Sequence, residues 1–188
     1  CVSVAVVPTH ENIANGDYRK MIQFAVDRKM RVNVNYPALC GEYTNNYDEL
    51  LTEEELKEVR EYFKLPNVTS DFTVLSDKYE CPAGRKKIYI LSDGSVCPCT
   101  FIHISFGNML HEPLPEIMER MWSTKIFMSR AKCCLVGESL EFNKRYLEPV
   151  FKSDRVPLYY KDHPMFKDID EHREQNPNIV TVDEKPQN

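Results

Sequence analysis

Residues 81–99, CPAGRKKIYILSDGSVCPC, decide how this chain is read: they hold three of its seven cysteines around an apolar run and an Asp-Gly pair. Lys87-Ile88-Tyr89-Ile90-Leu91 is rich in β-branched and aromatic side chains. Asp93-Gly94 suits a two-residue hairpin loop, whose positions both need positive φ. Counting outward from that turn sets Cys97 across from Ile90 and Cys99 across from Ile88. Strand alternation then points Cys97 and Cys99 to one face. Pro98 between them removes a ladder donor, the mark of a strand end or edge. Pro82 and Gly84 let the chain turn back and carry Cys81 toward Cys99. The expectation is a thiolate cage at the open end of a hairpin.

Two inorganic partners suit converging thiolates: zinc, usually through two close pairs, and an iron–sulfur cluster through three or four cysteines. The sequence has no C-x-x-C pair and no H-x-x-x-H, so the spacing is unlike a zinc site. It is also unlike the compact ferredoxin runs. Buried, inert cysteine is the plain alternative.

A resemblance bears on this choice. Cys81, twelve residues, Gly94, four residues and Cys99 fit the C-x(9–15)-G-x(4)-C signature of the SPASM and twitch domains, found at the C-terminal end of radical S-adenosylmethionine (radical SAM) enzymes. Pro98-Cys99-Thr100-Phe101, then Gly107-Asn108 and Leu114-Pro115-Glu116-Ile117-Met118, resemble that family's "PC-x-F … GN … L-x-E-I" run. The likeness covers residues 81–135. It implies an auxiliary 4Fe–4S cluster held by Cys81, Cys99 and a later cysteine, which is Cys133 or Cys134. Cys97 competes with Cys99, and the G-x(4)-C count favours Cys99. The further C-x(2)-C-x(5)-C-x(3)-C run of full SPASM domains does not occur in the sequence, so a one-cluster, twitch-like domain is the better match.

The totals set limits. With 188 residues, 42% hydrophobic and 28% charged, the chain suits one large or two small domains with a real core. A net charge of −5 argues against nucleic acid or an anionic membrane held by bulk charge. No apolar run approaches the ~20 residues that span a bilayer. Seven cysteines in a chain this large are expected to be reduced, and the protein to be cytoplasmic. Because the chain opens on Cys1 and runs straight into a strand-like segment, we expect a piece of a longer polypeptide.

In chain order, Val2 to Val7 is a continuous apolar run, as for a strand buried on both faces. Thr9-His10-Glu11-Asn12 reads as a polar loop. Asn15, Gly16 and Asp17 can cap a helix whose apolar positions are Met21, Ile22, Ala25 and Val26. Arg31 to Tyr36 is a second strand, completing a parallel βαβ unit. Thr52 and Glu55 form a capping box for a helix with Leu56, Val59 and Phe63 on one side. Phe72 to Leu75 reads as a short strand, and residues 101–104 as a strand extension after Cys99. A later helix buries Leu114, Ile117, Met118, Met121 and Trp122.

The expected fold is therefore α/β. The last strands and helices of a partial (β/α) barrel occupy residues 1–66. A small α+β domain with the cysteine-bearing β-hairpin follows at 67–152, and an extended, partly mobile tail at 153–188. At the barrel mouth, Asn33 and Asn35 are candidate cofactor contacts, though strand-end acceptors would look the same.

In the resembling enzymes, a C-x(3)-C-x(2)-C loop holds the catalytic cluster that cleaves S-adenosylmethionine. These 188 residues contain no such loop, so this chain alone is expected to be inactive. The resemblance implies the C-terminal part of a radical SAM enzyme, in which the auxiliary cluster relays an electron or ligates substrate during peptide or protein modification. Its partners would be an electron donor such as a ferredoxin or flavodoxin, and a peptide or small-molecule substrate. Two readings from other classes stand beside it: a non-catalytic zinc-stabilised binding module, and a plain α/β domain with reduced thiols.

Overall fold

The computed structural model describes residues 2–70 and 80–170. They form a mixed α/β structure of small sheets and several helices, with no closed barrel among the described residues. Contacts divide the chain into two compact units. The first takes Cys1–Cys81 and Lys132–Asn143; the second takes Pro82–Ala131 and Lys144–Asn188. The expected strand at residues 72–75 and the end of the expected tail, 171–188, lie outside the described residues.

In the first unit, β1 (Ser3–Val6), β2 (Arg31–Val34) and β3 (Val68–Ser70) make a parallel sheet in that order. The βαβ expectation holds for β1 and β2, which pair from Ser3↔Arg31 to Val6↔Val34. The short β3 joins the first unit, although residues 67–152 are expected in the second domain. Helices pack on one face: Val6, Val32, Val34 and Val68 meet α2 (Asp17–Asp27) and α3 (Glu53–Glu61) through Tyr18, Ile22, Ala25, Leu56 and Val59. Each such aliphatic side chain contributes about 1.5–3 kcal/mol by leaving water. The opposite face carries Ala5, Asn33 and Thr69 in one register row. This corrects the reading of β1 as doubly buried: its pattern alternates, and Val2 and Val7 are exposed.

The expected polar loop is in fact a helix, α1 (His10–Ala14). Thr9 caps it reciprocally with Asn12, so both side chains are spent on backbone. The capping box of Thr52 and Glu55 forms as the sequence requires. Phe63 sits one turn beyond α3, in the 3-10 turn Tyr62–Lys64.

In the second unit, β4 (Tyr89–Ile90) and β5 (Val96–Cys97) form the antiparallel hairpin, but its register differs from expectation by one residue. Tyr89 faces Cys97 and Ile90 faces Val96. Leu91 N–H donates to the Ser95 carbonyl, which leaves Ser92, Asp93 and Gly94 as a three-residue loop. Gly94, at φ +85°, supplies its left-handed position. The cause is Asp93, whose carboxylate accepts from both Ser95 N–H (2.9 Å) and Ser95 Oγ (3.1 Å); this Asx turn includes Ser92 in the loop.

After Cys99 the chain turns instead of extending. Ile102 bridges back to Cys99, and β6 (Ile104–Ser105) pairs in parallel with β7 (Leu158–Tyr159). Helix α4 (Leu114–Trp122) buries Ile117 and Met121 as the spacing requires. Residues 153–170 depart from the expected tail. Tyr160, His163 and Phe166 are buried, and Phe166 packs edge-on to Phe106. The polar composition there conceals single aromatic anchors spaced between charges.

Candidate functional site

Around the cysteines the backbone does specific work. The three N–H groups of Arg85, Lys86 and Lys87 all donate to the Pro82 carbonyl, closing a tight loop directly after Cys81. Gly84 sits in that loop at φ +67°, and its N–H donates to the Pro98 carbonyl at 2.9 Å. The segment that follows Cys81 is thereby tied to the residue that precedes Cys99. A side chain at residue 84 would meet the Phe127 ring at 3.1 Å, so the approach needs glycine.

The structure separates the five candidate cysteines by environment. Cys97 is fully buried on β5, and burial first, then the Asp93 and Cys99 charges, push its thiol up to about 12. It is a packed core side chain that resists ionisation. Cys99 is partly exposed at the strand end, 3.8 Å from the Thr100 hydroxyl. Although two residues apart on one strand run, Cys97 and Cys99 differ because only Cys99 has passed the sheet.

In the first unit, Cys134 opens the one-turn helix Leu135–Glu138. Its sulfur accepts the Gly137 N–H at 3.4 Å, and the side chain also packs against the sheet's core. Its own N–H donates to the buried Glu138 carboxylate. Cys133 is half-buried, with its thiol pushed up to about 11. Burial is the main cause, followed by the Glu138 carboxylate and by Cys81, whose thiol lies close enough to act on it; Arg60 opposes. The neighbouring cysteines thus differ in surroundings: Cys134 caps a helix, and Cys133 lies within electrostatic reach of Cys81.

Such a thiol pair fits a positively charged inorganic partner. The Cys133 thiol gives up its proton reluctantly, because burial and then the Glu138 and Cys81 charges disfavour its thiolate, whereas iron or zinc supplies the missing charge. Among the described residues, no three His, Cys, Asp or Glu side chains converge as they would on a single metal ion. What those residues present is the Cys81–Cys133 pair in one unit and Cys99 in the other.

Asn33 and Asn35 lie on the sheet face opposite the helices, partly exposed, with Asn33 Nδ2 donating to Asn35 Oδ1 at 2.8 Å. That bond uses Asn33 Nδ2 and Asn35 Oδ1, and leaves Asn33 Oδ1 as an acceptor and Asn35 Nδ2 as a donor. His10, at the C-terminal end of β1, is held by Glu55 and by the Asp48 carbonyl, both at 2.8 Å.

Sequence reasoning missed two features. Glu80 and Lys132 form an ion pair at 2.6 Å, each immediately preceding a cysteine of the pair. In the second unit an open cleft of about 620 Å³ lies beside the hairpin turn, with Asp93, Asn108, His111, Arg155 and Tyr159 among its walls. No motif announced either; only the repeated charge-before-cysteine pattern hinted at the first.

Comparison with known families matches residues 81–136 to SPASM, described as an iron-sulfur cluster-binding domain. The match begins at Cys81 and ends just past Cys134. Compared with curated proteins and with solved structures, the chain finds no match in either set. No helix among the described residues is long and apolar enough to cross a membrane.

Proposed function

We propose that the chain binds one auxiliary 4Fe–4S cluster through Cys81, Cys99 and Cys133, as the C-terminal part of a radical SAM enzyme. The observation that carries the reading is the coincidence of the iron–sulfur family match with the Gly84–Pro98 hydrogen bond, which ties together the chain beside the first two of these cysteines. Cys97 and Cys134 stay outside the ligand set, one as core and one as cap. In this reading β1–β3 with their helices are closing strands of a partial barrel. Asn33 and Asn35 then sit on its inner face, with spare amide groups for cofactor or substrate.

When bound, the cluster would supply an electron path or an open iron for substrate, its potential set by burial and by hydrogen bonds to sulfur. The chain's own residues would hold the half-buried thiols in place and fix their directions. Radical formation would require a C-x(3)-C-x(2)-C loop, which these residues do not contain. A small electron-transfer protein of the ferredoxin or flavodoxin kind would deliver reducing equivalents, and a peptide or small molecule would be the substrate.

The test is a serine panel. After anaerobic reconstitution, Cys81→Ser, Cys99→Ser and Cys133→Ser should each lose the visible charge-transfer absorbance of an iron–sulfur protein. Cys97→Ser and Cys134→Ser should keep it. Retention in the first three variants, or equal loss in all five, would overturn the ligand assignment.

A further inference from the structure

Two carboxylates of the first unit are almost wholly removed from water, and both flank the cysteine pair. The Glu138 side chain is 1% exposed and the Glu80 side chain 6%. Each meets a cation among the described residues. Arg60 reaches Glu138 Oε1 with Nη2 at 2.6 Å and Nε at 3.1 Å, and Lys132 Nζ lies 2.6 Å from Glu80 Oε1. The second oxygen of Glu138 accepts the Cys134 N–H.

A buried carboxylate held by a partly exposed cation adds little net stability over an apolar side chain of the same volume, because taking the carboxylate from water offsets the attraction. Their placement points to another use. Glu80 and Lys132 are the residues directly before Cys81 and Cys133, so one ion pair joins two chain segments 52 residues apart beside both thiols. Arg60 and Glu138 anchor the other side of the cysteine loop to α3, across a separation of 78 residues. Glu138 also holds Cys134 in its cap, which leaves Cys133, next to Lys132, as the cysteine of that loop tied to the Glu80-Cys81 segment.

We propose that Glu138 and Glu80, with Arg60 and Lys132, are positioning residues that hold the Cys133 and Cys81 thiols side by side before a cluster arrives. Neither carboxylate is a ligand. The inference rests on the cluster reading above and adds the residues that preorganise it. Partners behind metal ligands typically change metal affinity 10–100-fold when removed.

The experiment uses the full chain, reconstituted anaerobically, with three readouts: the rate of iron loss to an excess of an iron(II) chelator, the electron paramagnetic resonance spectrum of the reduced cluster, and the melting temperature of the cluster-free protein. Glu138→Ala should speed iron loss about tenfold or more and alter the resonance spectrum. Glu138→Gln, which keeps an acceptor for the Cys134 N–H, should restore most of the wild-type rate. Lys132→Met should also speed iron loss several-fold. Lys132 is 69% exposed, so this variant folds even if Glu138→Ala does not. Wild-type rate and spectrum in folded Glu138→Ala, or in Lys132→Met, would overturn the inference. A wild-type chain that takes up no iron and sulfide would instead refute the cluster reading itself.

Discussion

Gly84→Ala should damage the second unit more than any simple loss of flexibility explains. Residue 84 sits at φ +67°, where an L side chain costs roughly 1–2 kcal/mol. The added Cβ would also lie 3.1 Å from Phe127 Cγ and 3.3 Å from its Cβ. Phe127 is 2% exposed and packs against Phe106 and Phe166, so its ring has nowhere to retreat. Overpacking of this sort costs about 1–3 kcal/mol. Together the two effects predict a loss of roughly 2–5 kcal/mol. Trp122, the only tryptophan, lies on α4 in the same unit, so urea unfolding followed by its fluorescence reads this cost directly. Gly41→Ala supplies the control: its φ is +62°, but nothing lies within 4 Å of a new Cβ. Followed by circular dichroism, it should lose only about 1–2 kcal/mol. Equal losses at the two positions would refute the claim that the cysteine loop is wedged against Phe127.

Three further outcomes follow from buried polar groups and from one half-buried histidine. Cys97→Ser should cost about 1–3 kcal/mol, since a hydroxyl replaces a fully buried thiol; a neutral result in urea would mean that the site is wetter than its burial indicates. Tyr18 is fully buried, and its hydroxyl has no hydrogen-bond partner. Tyr18→Phe should therefore stabilise the first unit by about 1 kcal/mol, and a measured loss would reveal a hidden partner. His10 has an acceptor on each ring nitrogen, which favours the imidazolium and, led by the Glu55 bond, raises its pKa above 6.5. That stabilisation is complete below pH 6.5 and disappears as pH rises through the folded-state value. Glu55, held below 4.5 by Thr52 and His10 against burial, loses its own contribution only in acid. The wild-type advantage over His10→Gln should thus peak near pH 6 at about 0.5–1 kcal/mol and fade in alkali, and a pH-independent difference would rule out the charged form.

How much of this was legible beforehand depended on whether a signal was local. The Thr52–Glu55 cap, the Ile117/Met121 face and the β1–β2 pairing depend on neighbours within a few residues or on plain apolar runs. β3 escaped because Val68-Thr69-Ser70 is too short for periodicity and owes its strand to the β2 ladder. The hairpin register slipped because Asp93 used its side chain on Ser95, a choice of turn that Asp-Gly alone does not settle. Around the cysteines, residue spacing named candidates but not their surroundings. The G-x(4)-C count favoured Cys99 over Cys97 without showing that the sheet buries Cys97, and Cys133 and Cys134 read alike until Gly137 and Glu138 claimed the second. The Glu80–Lys132 and Arg60–Glu138 pairs join residues 52 and 78 apart, beyond the reach of any short pattern.

The most direct test of the account is the iron and acid-labile sulfide content of the full chain, purified and reconstituted without oxygen. The account predicts iron and sulfide in equal amounts, about four of each per chain as a single 4Fe–4S cluster requires. Zinc without sulfide, or neither metal nor sulfide, would contradict it.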